Sequence, residues 1–204
     1  MDEELRPREE AVAEEKKERK EKEKLDWRKE FYSELRMLAV VLTVTILIFH
    51  FLTQLVVVVG SSMYPTLHED DLLIAWRAGY EPRQGDIVVL HKETEYIKET
   101  VVKRIIATGG QTVEIDYDEN AVYVDGVRLD EPYLNREDED VMIPKGDVKS
   151  IDIPEGSVFV MGDNRDRSTD SRSTPALGVV DEDYIIGKAV FIFYPFDHMG
   201  LLEN

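Results

Sequence analysis

Two adjacent hydroxyls, Ser61 and Ser62, lie where a long apolar run ends, in the stretch GSSMYPTL at residues 60–67. Pro65 fixes its own φ and biases the preceding residue away from the helical region, so this stretch is predicted to form a rigid turn. In such a turn a serine hydroxyl is presented while Met63 packs inward. The junction is either a plain strand-to-turn connection or a nucleophile held close to a membrane surface.

Two further stretches contain groups that could activate a serine. In TVVKRIIATGG, residues 100–110, Lys103 interrupts a run of Val and Ile. Strand alternation places its side chain on the face opposite Val102 and Arg104. In VFVMGDNRDRSTDSR, residues 158–172, an apolar strand leads into a segment that is too polar for a core.

A lysine amine can act as the base for a serine when its pKa falls. A free lysine has only about one neutral molecule in 2,500 at pH 7. Burial disfavours the ammonium form, so an inward-facing Lys103 becomes a usable base for a serine nucleophile. Such a site also needs a hydroxyl that orients the neutral amine and amide donors for the developing oxyanion. The three stretches together can supply each of these parts.

The composition limits the possible functions. The 204 residues include 25 Lys and Arg against 43 Asp and Glu, which gives a formal net charge of −18. No nucleic-acid partner is expected, because phosphate neutralisation needs a basic face. The chain contains no cysteine, which excludes thiol catalysis, disulfides and cysteine-based zinc sites.

Three regions follow one another along the chain. Residues 1–36 are densely charged and predict a cytoplasmic tail without chemistry of its own, either a solvated helix or disorder. The next 23 residues, 37–59, contain no charged side chain and are long enough to span a bilayer, with a buried core helix as the alternative. We assign a transmembrane helix to residues 37–55. The β-branched residues 56–59 are expected to begin a strand.

The orientation of this span follows from the basic residues near it. Downstream, the first basic residue is Arg77, whereas four lie close upstream: Lys24, Arg28, Lys29 and Arg36. The N-terminus is therefore predicted to face the cytoplasm. Residues 56–204 are predicted to form an extracytoplasmic domain.

The outer region has the pattern of a β protein. Short runs rich in Val, Ile, Phe and Tyr are separated by Gly, Asp and Pro: DIVVLH, TVVKRIIA, TVEIDY, AVYVDGVRL, SVFVMG and KAVFIFYP. The segment TVEIDYDENAVYVDGVRL predicts a hairpin that turns at residues 118–120, and the acidic cluster Glu137–Asp140 predicts a solvated loop. The predicted fold is mainly β, an antiparallel sheet domain anchored by one N-terminal transmembrane helix.

An acidic turn invites a calcium interpretation, which the spacing does not support. Asp116, Asp118 and Asn120 have the first, third and fifth positions of an EF-hand loop. Ala121 and Val127 occupy the positions that need Gly and Glu. No metal site is predicted here.

A histidine base is the other alternative for activating a serine. His68, His91 and His198 are the candidates outside the apolar run, and none lies in a recognisable motif. His50 lies within the run and is expected to be neutral. The sequence therefore favours a lysine base over a histidine base.

Three of these stretches resemble motif boxes of bacterial type I signal peptidases: GSSMYPTL, VVKRIIATGGQ and MGDNRDRSTDSR. QGDIVV, DGVRLDEPYL and IIGKAVFIFYPF are similar to further segments of that family, in order between about residues 30 and 196. Self-cleaving cytosolic repressor peptidases also use Ser and Lys, but they lack the span and the third box. The chain resembles the compact, single-span branch of the family.

The resemblance implies a role for each matching position. Ser62 matches the nucleophile, Lys103 the general base, and Ser168 the serine that hydrogen-bonds and orients this lysine. In some members the residue two positions before the nucleophile is a serine whose hydroxyl joins the oxyanion hole. Gly60 stands there in this chain, so the Ser62 amide is the expected donor and the second donor is left open.

The resemblance also implies supporting positions. Asp170 and Arg172 match a pair that braces the site. Gly162 and Asp163 match the turn that brings the orienting serine under the lysine. Met63 matches the wall beside the nucleophile.

The implied reaction is the removal of signal peptides from secretory precursors through an acyl-enzyme. The cleavage region, of Ala-x-Ala type, would bind by strand addition, with its small residues in two shallow apolar pockets. These pockets would be lined by Val58, Val59, Met63, Val101 and Val102. The implied partners are the lipid bilayer, the precursor and the protein translocation channel, and no cofactor, metal or nucleic acid is required.

Three other functions are compatible with parts of the pattern. An inactive homologue would act as a membrane-tethered binding module. A sortase-like or regulatory membrane protease would cut a different set of substrates. A structural cell-envelope protein could share the topology, but it would have no use for Lys103 in a strand beside the box at Ser168.

Overall fold

The computed structural model describes residues 6–134 and 147–202. The acidic loop predicted at Glu137–Asp140 lies outside the described residues. The chain divides into two compact units, Met1–Phe49 and His50–Asn204.

A long helix, α1, runs over Arg6–Leu52, and all but its last three residues lie in the first unit. Its charged part was predicted as either helix or disorder, and from Arg6 onward it is helix. The segment Asp26–Leu52 is 27 residues long and contains an apolar stretch none of which is buried, so its length and composition suffice to cross a membrane. One N-terminal apolar helix is therefore confirmed.

The helix ends three residues earlier than the predicted limit of 55. The strand β1 occupies Thr53–Val57 and pairs with Leu72–Trp76, so the strand predicted from residue 56 begins at Thr53 and ends at Val57. The reason is tertiary: the carbonyl of Leu52 accepts a hydrogen bond from the Arg77 amide at 2.9 Å, and sheet pairing starts at the next residue.

Twelve strands fall within residues 6–134 and 147–202. In chain order they are β1 Thr53–Val57, β2 Leu72–Trp76, β3 Ile87–Leu90, β4 Val101–Thr108, β5 Thr112–Asp116, β6 Ala121–Val124, β7 Val127–Arg128, β8 Ser150–Asp152, β9 Ser157–Met161, β10 Val180–Asp181, β11 Ile185–Tyr194 and β12 Gly200–Leu201. Each of the six apolar runs singled out in the sequence contains a strand. The predicted antiparallel β fold is thus confirmed, whereas β2, β8, β10 and β12 were not predicted.

The strands form two antiparallel sheets. The larger has the order β1-β2-β11-β3-β4-β9-β10 with β12 beside β11, and the smaller has the order β7-β6-β5-β8. The predicted hairpin joins β5 to β6, with Asp116 paired to Ala121. The Asp116 carboxylate accepts the amides of Asp118 and Glu119 at 2.9 Å, so it closes the turn itself.

The core that supports the candidate site lies on the side of β1, β2 and β11. We call it the site-side core, and its buried members are Val58, Met63, Leu67, Leu73, Ala75, Ile87, Val89, Val102, Ala189 and Ile192. Residues from the serine stretch and from the lysine strand both belong to it. Burying these side chains therefore brings the two stretches together.

Candidate active site

Ser62 lies in a turn that follows β1 and is tied to the segment before β2. The Val58 amide donates to the Asp71 carbonyl at 2.8 Å, and the Val58 carbonyl accepts from the Asp70 amide at 3.0 Å. Gly60 then has a φ of 80°, a left-handed conformation that a residue with a Cβ adopts only with strain. This backbone conformation favours glycine at position 60.

The turn is fixed on its inner side as well. Met63 is 1% exposed and anchors the turn in the site-side core, as predicted. The Ser62 carbonyl accepts a hydrogen bond from the Asn164 amide at 3.0 Å, which ties the turn to the segment after β9. Ser61 is exposed, whereas Ser62 is partly buried and faces the interior of the site.

Lys103 lies on β4, opposite Val88 of β3. The pairing of β4 with β9 begins only at Arg104. The Lys103 side chain is buried, and its Nζ lies 2.7 Å from Ser62 Oγ. Nζ also donates to the Val102 carbonyl at 3.0 Å, which fixes the direction of the remaining bonds. The structure thus brings together two residues that stand 41 positions apart in the chain.

Burial changes the ionisation of this amine. Desolvation lowers the pKa of Lys103 to about 8, although the carboxylates of Asp170 and Asp163 oppose the shift and Arg172 adds to it. At this pKa about one molecule in ten carries a neutral amine at pH 7. A buried amine with a lowered pKa thus lies against the Ser62 hydroxyl.

Ser168 occupies a different environment from the one that the resemblance implies. Its side chain is fully buried, and within residues 6–134 and 147–202 no hydrogen bond joins its Oγ to Lys103 Nζ. A Cβ on Gly162 would overlap Ser168 Oγ and the Ser62 carbonyl oxygen, so only glycine fits between them. The hydrogen bonds of Lys103 Nζ go to Ser62 and Val102 instead, and the Val102 carbonyl orients the amine.

Asp170 and Arg172 form the buried pair that was expected. Arg172 Nε donates to Asp170 Oδ1 at 2.8 Å and Nη2 donates to Oδ2 at 2.9 Å. Burial alone would raise the pKa of Asp170, but the bonds from Arg172 outweigh it and hold this pKa below its ordinary value. Asp170 Oδ2 also accepts the Gly162 amide at 3.1 Å, and Arg172 Nη2 donates to the carbonyl of Arg165, which is itself paired with buried Glu131.

Asp163 has a partner that the sequence did not reveal. Arg104, also buried, donates to Asp163 through Nε at 2.9 Å and through Nη2 at 2.8 Å, and its Nη1 donates to the Gly85 carbonyl at 2.8 Å. The Tyr133 ring lies 3.9 Å from the guanidinium carbon, and the Thr66 hydroxyl donates to the same carboxylate. A second charge inside the apolar β4 run was the available signal for this pair.

Removing Arg104 should destabilise the domain strongly. In an Arg104→Met variant the Asp163 carboxylate would stay buried without its cation, and breaking such a pair typically removes about 3–5 kcal/mol. Chemical denaturation of the purified protein measures this difference. The exposed Arg128→Met is the matched control, with an expected change below about 0.5 kcal/mol. A loss no larger than that of the control would show that the pair does not hold β4 to the segment after β9.

The five residues predicted to line the substrate pockets fall into two groups. Val58, Met63 and Val102 are 3%, 1% and 7% exposed and belong to the site-side core. Val59 is 72% exposed and Val101 is partly buried, so these two present surface beside the serine turn.

The histidine alternatives are placed away from the serine hydroxyl. His68 and His198 contact each other and Asp71, and His91 lies 3.6 Å from Glu93. Within the described residues no hydrogen bond joins any of these rings to Ser62. Lys103 is the group that contacts its Oγ.

Fold and site together define a class of protein. A mainly antiparallel β domain follows one apolar helix, and inside it a serine hydroxyl touches a desolvated amine. A hydroxyl with an adjacent base is the arrangement of nucleophilic hydrolysis. The arrangement is compatible with a hydrolase that carries one N-terminal apolar helix.

Comparison with known proteins gives the family. The family model described as "Signal peptidase, peptidase S26" matches residues 30–194, and the chain belongs to this family. It is 38% identical over 171 residues to "Signal peptidase I T" of Bacillus subtilis (strain 168), covering 80% of this chain and 86% of that relative. It is 36% identical over 195 residues to "Signal peptidase I" of Bacillus licheniformis, covering 92% and 98%.

Among solved structures, a crystal structure of a signal peptidase I from Enterococcus faecalis V583 is 28% identical and has a TM-score of 0.39. The match covers 53% of this chain and 97% of that chain. The resemblance read from the motifs is confirmed by the family match. The chain is a peptidase of this family, and its N-terminal apolar helix fits a single-pass membrane protein.

Proposed function

We propose that this chain is a membrane-bound serine endopeptidase that removes signal peptides from secretory precursors, with Ser62 as nucleophile and Lys103 as general base. The observation that carries the proposal is the 2.7 Å contact between a buried amine and the serine hydroxyl. The names of its relatives, which are signal peptidases, support the choice of substrate.

The acylation step follows from the hydrogen bonds of the amine. In its neutral form Lys103 Nζ donates to the Val102 carbonyl, which leaves its lone pair free to accept the Ser62 hydroxyl proton. As that proton moves to Nζ, Oγ forms a bond to the carbonyl carbon of the precursor. The scissile C–N bond then breaks, and Nζ returns the proton to the leaving amine of the mature protein.

The second half of the cycle uses the same two groups. Lys103, neutral again, accepts a proton from a water molecule that attacks the ester carbon of the acyl-enzyme. The ester C–O bond breaks and Ser62 Oγ recovers the proton. The signal peptide leaves with a free carboxylate, and the enzyme returns to its starting state.

The developing oxyanion is assigned to backbone donors. Within the described residues, the Ser62 and Gly60 amides donate no hydrogen bond to another group of the chain. Gly60 has no hydroxyl to contribute, so the charge in the transition state falls on amides of this turn. Fixed amide donors of this kind lower the barrier because they require no reorganisation as the charge forms.

Substrate binding is assigned to the edge of β4 beside the serine turn. Residues 101–103 are paired with β3 on one side, and the pairing with β9 on the other side starts at Arg104. An extended peptide can therefore add to this stretch by main-chain hydrogen bonds. Val59 and Val101 would form the walls of shallow pockets above the site-side core. Such pockets accept small side chains, which suits an Ala-x-Ala cleavage region.

Anchoring and orientation complete the proposal. The precursor's signal peptide is itself held in the bilayer, so an anchored enzyme meets it at a raised effective concentration. The basic residues before the span place the N-terminus in the cytoplasm and the β domain outside. The precursor emerges from the protein translocation channel on the outer side of the membrane. The enzyme would therefore act close to the channel, which is the sense in which the channel is a partner.

The pH dependence of catalysis tests the assignment of the base. Because the neutral amine is the active form, kcat/KM for a model precursor should rise about tenfold per pH unit below pH 8 and level off above it. The measurement uses the detergent-solubilised full chain with an Ala-x-Ala precursor between pH 6 and 10. A profile that is already level at pH 7 would contradict a lysine base and favour a histidine.

A further inference from the structure

A cluster of metal-ligating side chains lies beside the serine turn. His68 follows this turn, Asp71 immediately precedes β2, and His198 lies in the connection between β11 and β12. Each residue offers one ligand atom, and all three atoms lie within 4.8 Å of one another. The cluster takes no part in the hydrolysis proposed above.

The distances within the cluster fit a tetrahedral ion. His198 Nδ1 lies 3.2 Å from one Asp71 oxygen and 3.3 Å from the other. Tetrahedral zinc with bonds of about 2.0–2.1 Å has its ligand atoms about 3.3 Å apart, so this pair already has the required spacing. The His68 and His198 ring centroids are 4.5 Å apart with planes at 79°, and the His68 ligand atom lies within 4.8 Å of the other two.

The carboxylate at the centre of the cluster is held in advance. Asp71 is fully buried, and its Oδ2 accepts the His68 amide at 2.8 Å, while the Asp71 amide donates to the His68 carbonyl at 3.2 Å. These bonds fix the carboxylate and the backbone of one histidine relative to each other. Supporting bonds of this kind orient a metal ligand before the ion arrives.

The two imidazoles keep the cluster accessible. His68 is exposed and the His198 side chain is about a third exposed, so an ion can enter from solvent and a water molecule can complete four ligands. Binding would replace the direct contact between His198 Nδ1 and the carboxylate with a bond from each group to the ion. Imidazole and carboxylate together suit zinc and its neighbours rather than calcium or magnesium.

We propose that His68, Asp71 and His198 form a binding site for a divalent transition ion of the zinc class. The ion would join the connection that follows β11 to the segment that carries the nucleophile. This segment is the one in which Val58 exchanges backbone hydrogen bonds with Asp70 and Asp71. Bound zinc would thus clamp the serine turn from outside, and since it binds only the folded state it would stabilise the domain.

The test is a zinc titration of the detergent-solubilised full chain without a polyhistidine tag, followed by calorimetry and by thermal unfolding. We expect one zinc per chain and a rise in Tm. His68→Ala and His198→Ala should each weaken binding at least about tenfold. His91→Ala is the matched control, because His91 is a partly exposed histidine beside Glu93, outside the cluster. The zinc affinity of this variant should equal that of the wild type.

Cobalt supplies a second readout that does not depend on stability. Cobalt bound to nitrogen and oxygen ligands in a tetrahedral site should give visible absorption bands, and these should disappear in His198→Ala but persist in His91→Ala. Absence of saturable binding in the wild type would overturn the proposal. Equal affinity in the two cluster variants and the wild type would overturn it too, and so would an equal loss in the His91 control.

Discussion

A Lys103→Met variant is expected to lose cleavage of a signal-peptide precursor while keeping its fold. Methionine fills nearly the same volume but cannot accept the Ser62 proton, so the hydroxyl would be left without the base that lies 2.7 Å from it. We expect kcat/KM to fall by about 10⁴-fold or more, as for other nucleophiles deprived of their base. A cleavage assay with an Ala-x-Ala precursor measures this.

The stability of the same variant separates catalysis from folding. The pKa of Lys103 is about 8 in the folded protein and higher in the unfolded chain, so below pH 8 the buried ammonium opposes folding. This penalty is relieved as pH rises from about 8 to the unfolded value. Methionine removes it but leaves the Val102 carbonyl without a donor, and the two effects offset each other. At pH 7 the free energy of unfolding of Lys103→Met should therefore be equal to or greater than that of the wild type.

Lys92→Met is the matched control for activity. The Lys92 ammonium also donates to backbone carbonyls, those of Leu177 and Val179, but it does not contact Ser62. Replacing Lys92 should leave kcat/KM within about threefold of the wild type, since Lys92 contacts neither the Ser62 hydroxyl nor the edge of β4 that is assigned to the substrate. Near-normal cleavage by a folded Lys103→Met would rule out Lys103 as the base.

The second large effect concerns the two adjacent serines. Ser62→Ala is expected to reduce cleavage by about 10⁴-fold or more, because the hydroxyl that lies 2.7 Å from the Lys103 amine is removed. Ser61→Ala should stay within about tenfold of the wild type, since the Ser61 hydroxyl is exposed and its backbone carbonyl still accepts the Tyr64 amide. Parallel assays of both variants on one precursor give the ratio directly.

This comparison also tests the nucleophile against the main alternative. An inactive homologue that serves as a binding module would show no cleavage in the wild type and no difference between the two serine variants. Equal losses in Ser61→Ala and Ser62→Ala would mean that the turn, rather than one hydroxyl, is required. Thermal unfolding of both variants provides the check that each has kept its fold.

The buried network around the dyad shows how far local pattern could predict the site. Lys103 and Arg104 were both recognisable as charges inside an apolar strand, and alternation placed them on opposite faces. Both faces of β4 are covered, so both side chains are buried and each needs its own partner. The partner of Lys103 is Ser62, whereas that of Arg104 is Asp163, 59 residues away in the chain.

The sequence by itself determined the apolar helix, the main strands and the chemistry of the candidate dyad. Periodicity and charge are local properties, and they suffice to say which segments are apolar and which amine is out of place. Residue types pointed to a serine and a lysine as a pair for hydrolysis, and the resemblance to signal peptidases implied the roles of nucleophile and base for Ser62 and Lys103. The lysine's need for burial also followed from its ordinary pKa.

Which residues of the site contact each other was decided only by the tertiary structure. Packing of the site-side core sets the 2.7 Å contact between Ser62 and Lys103, directs the amine to the Val102 carbonyl rather than to Ser168, and places His198 against Asp71, 127 residues away. It also ends the helix at Leu52, because sheet pairing claims the residues that follow. Such contacts depend on many buried groups at once, so no single stretch of sequence specifies them.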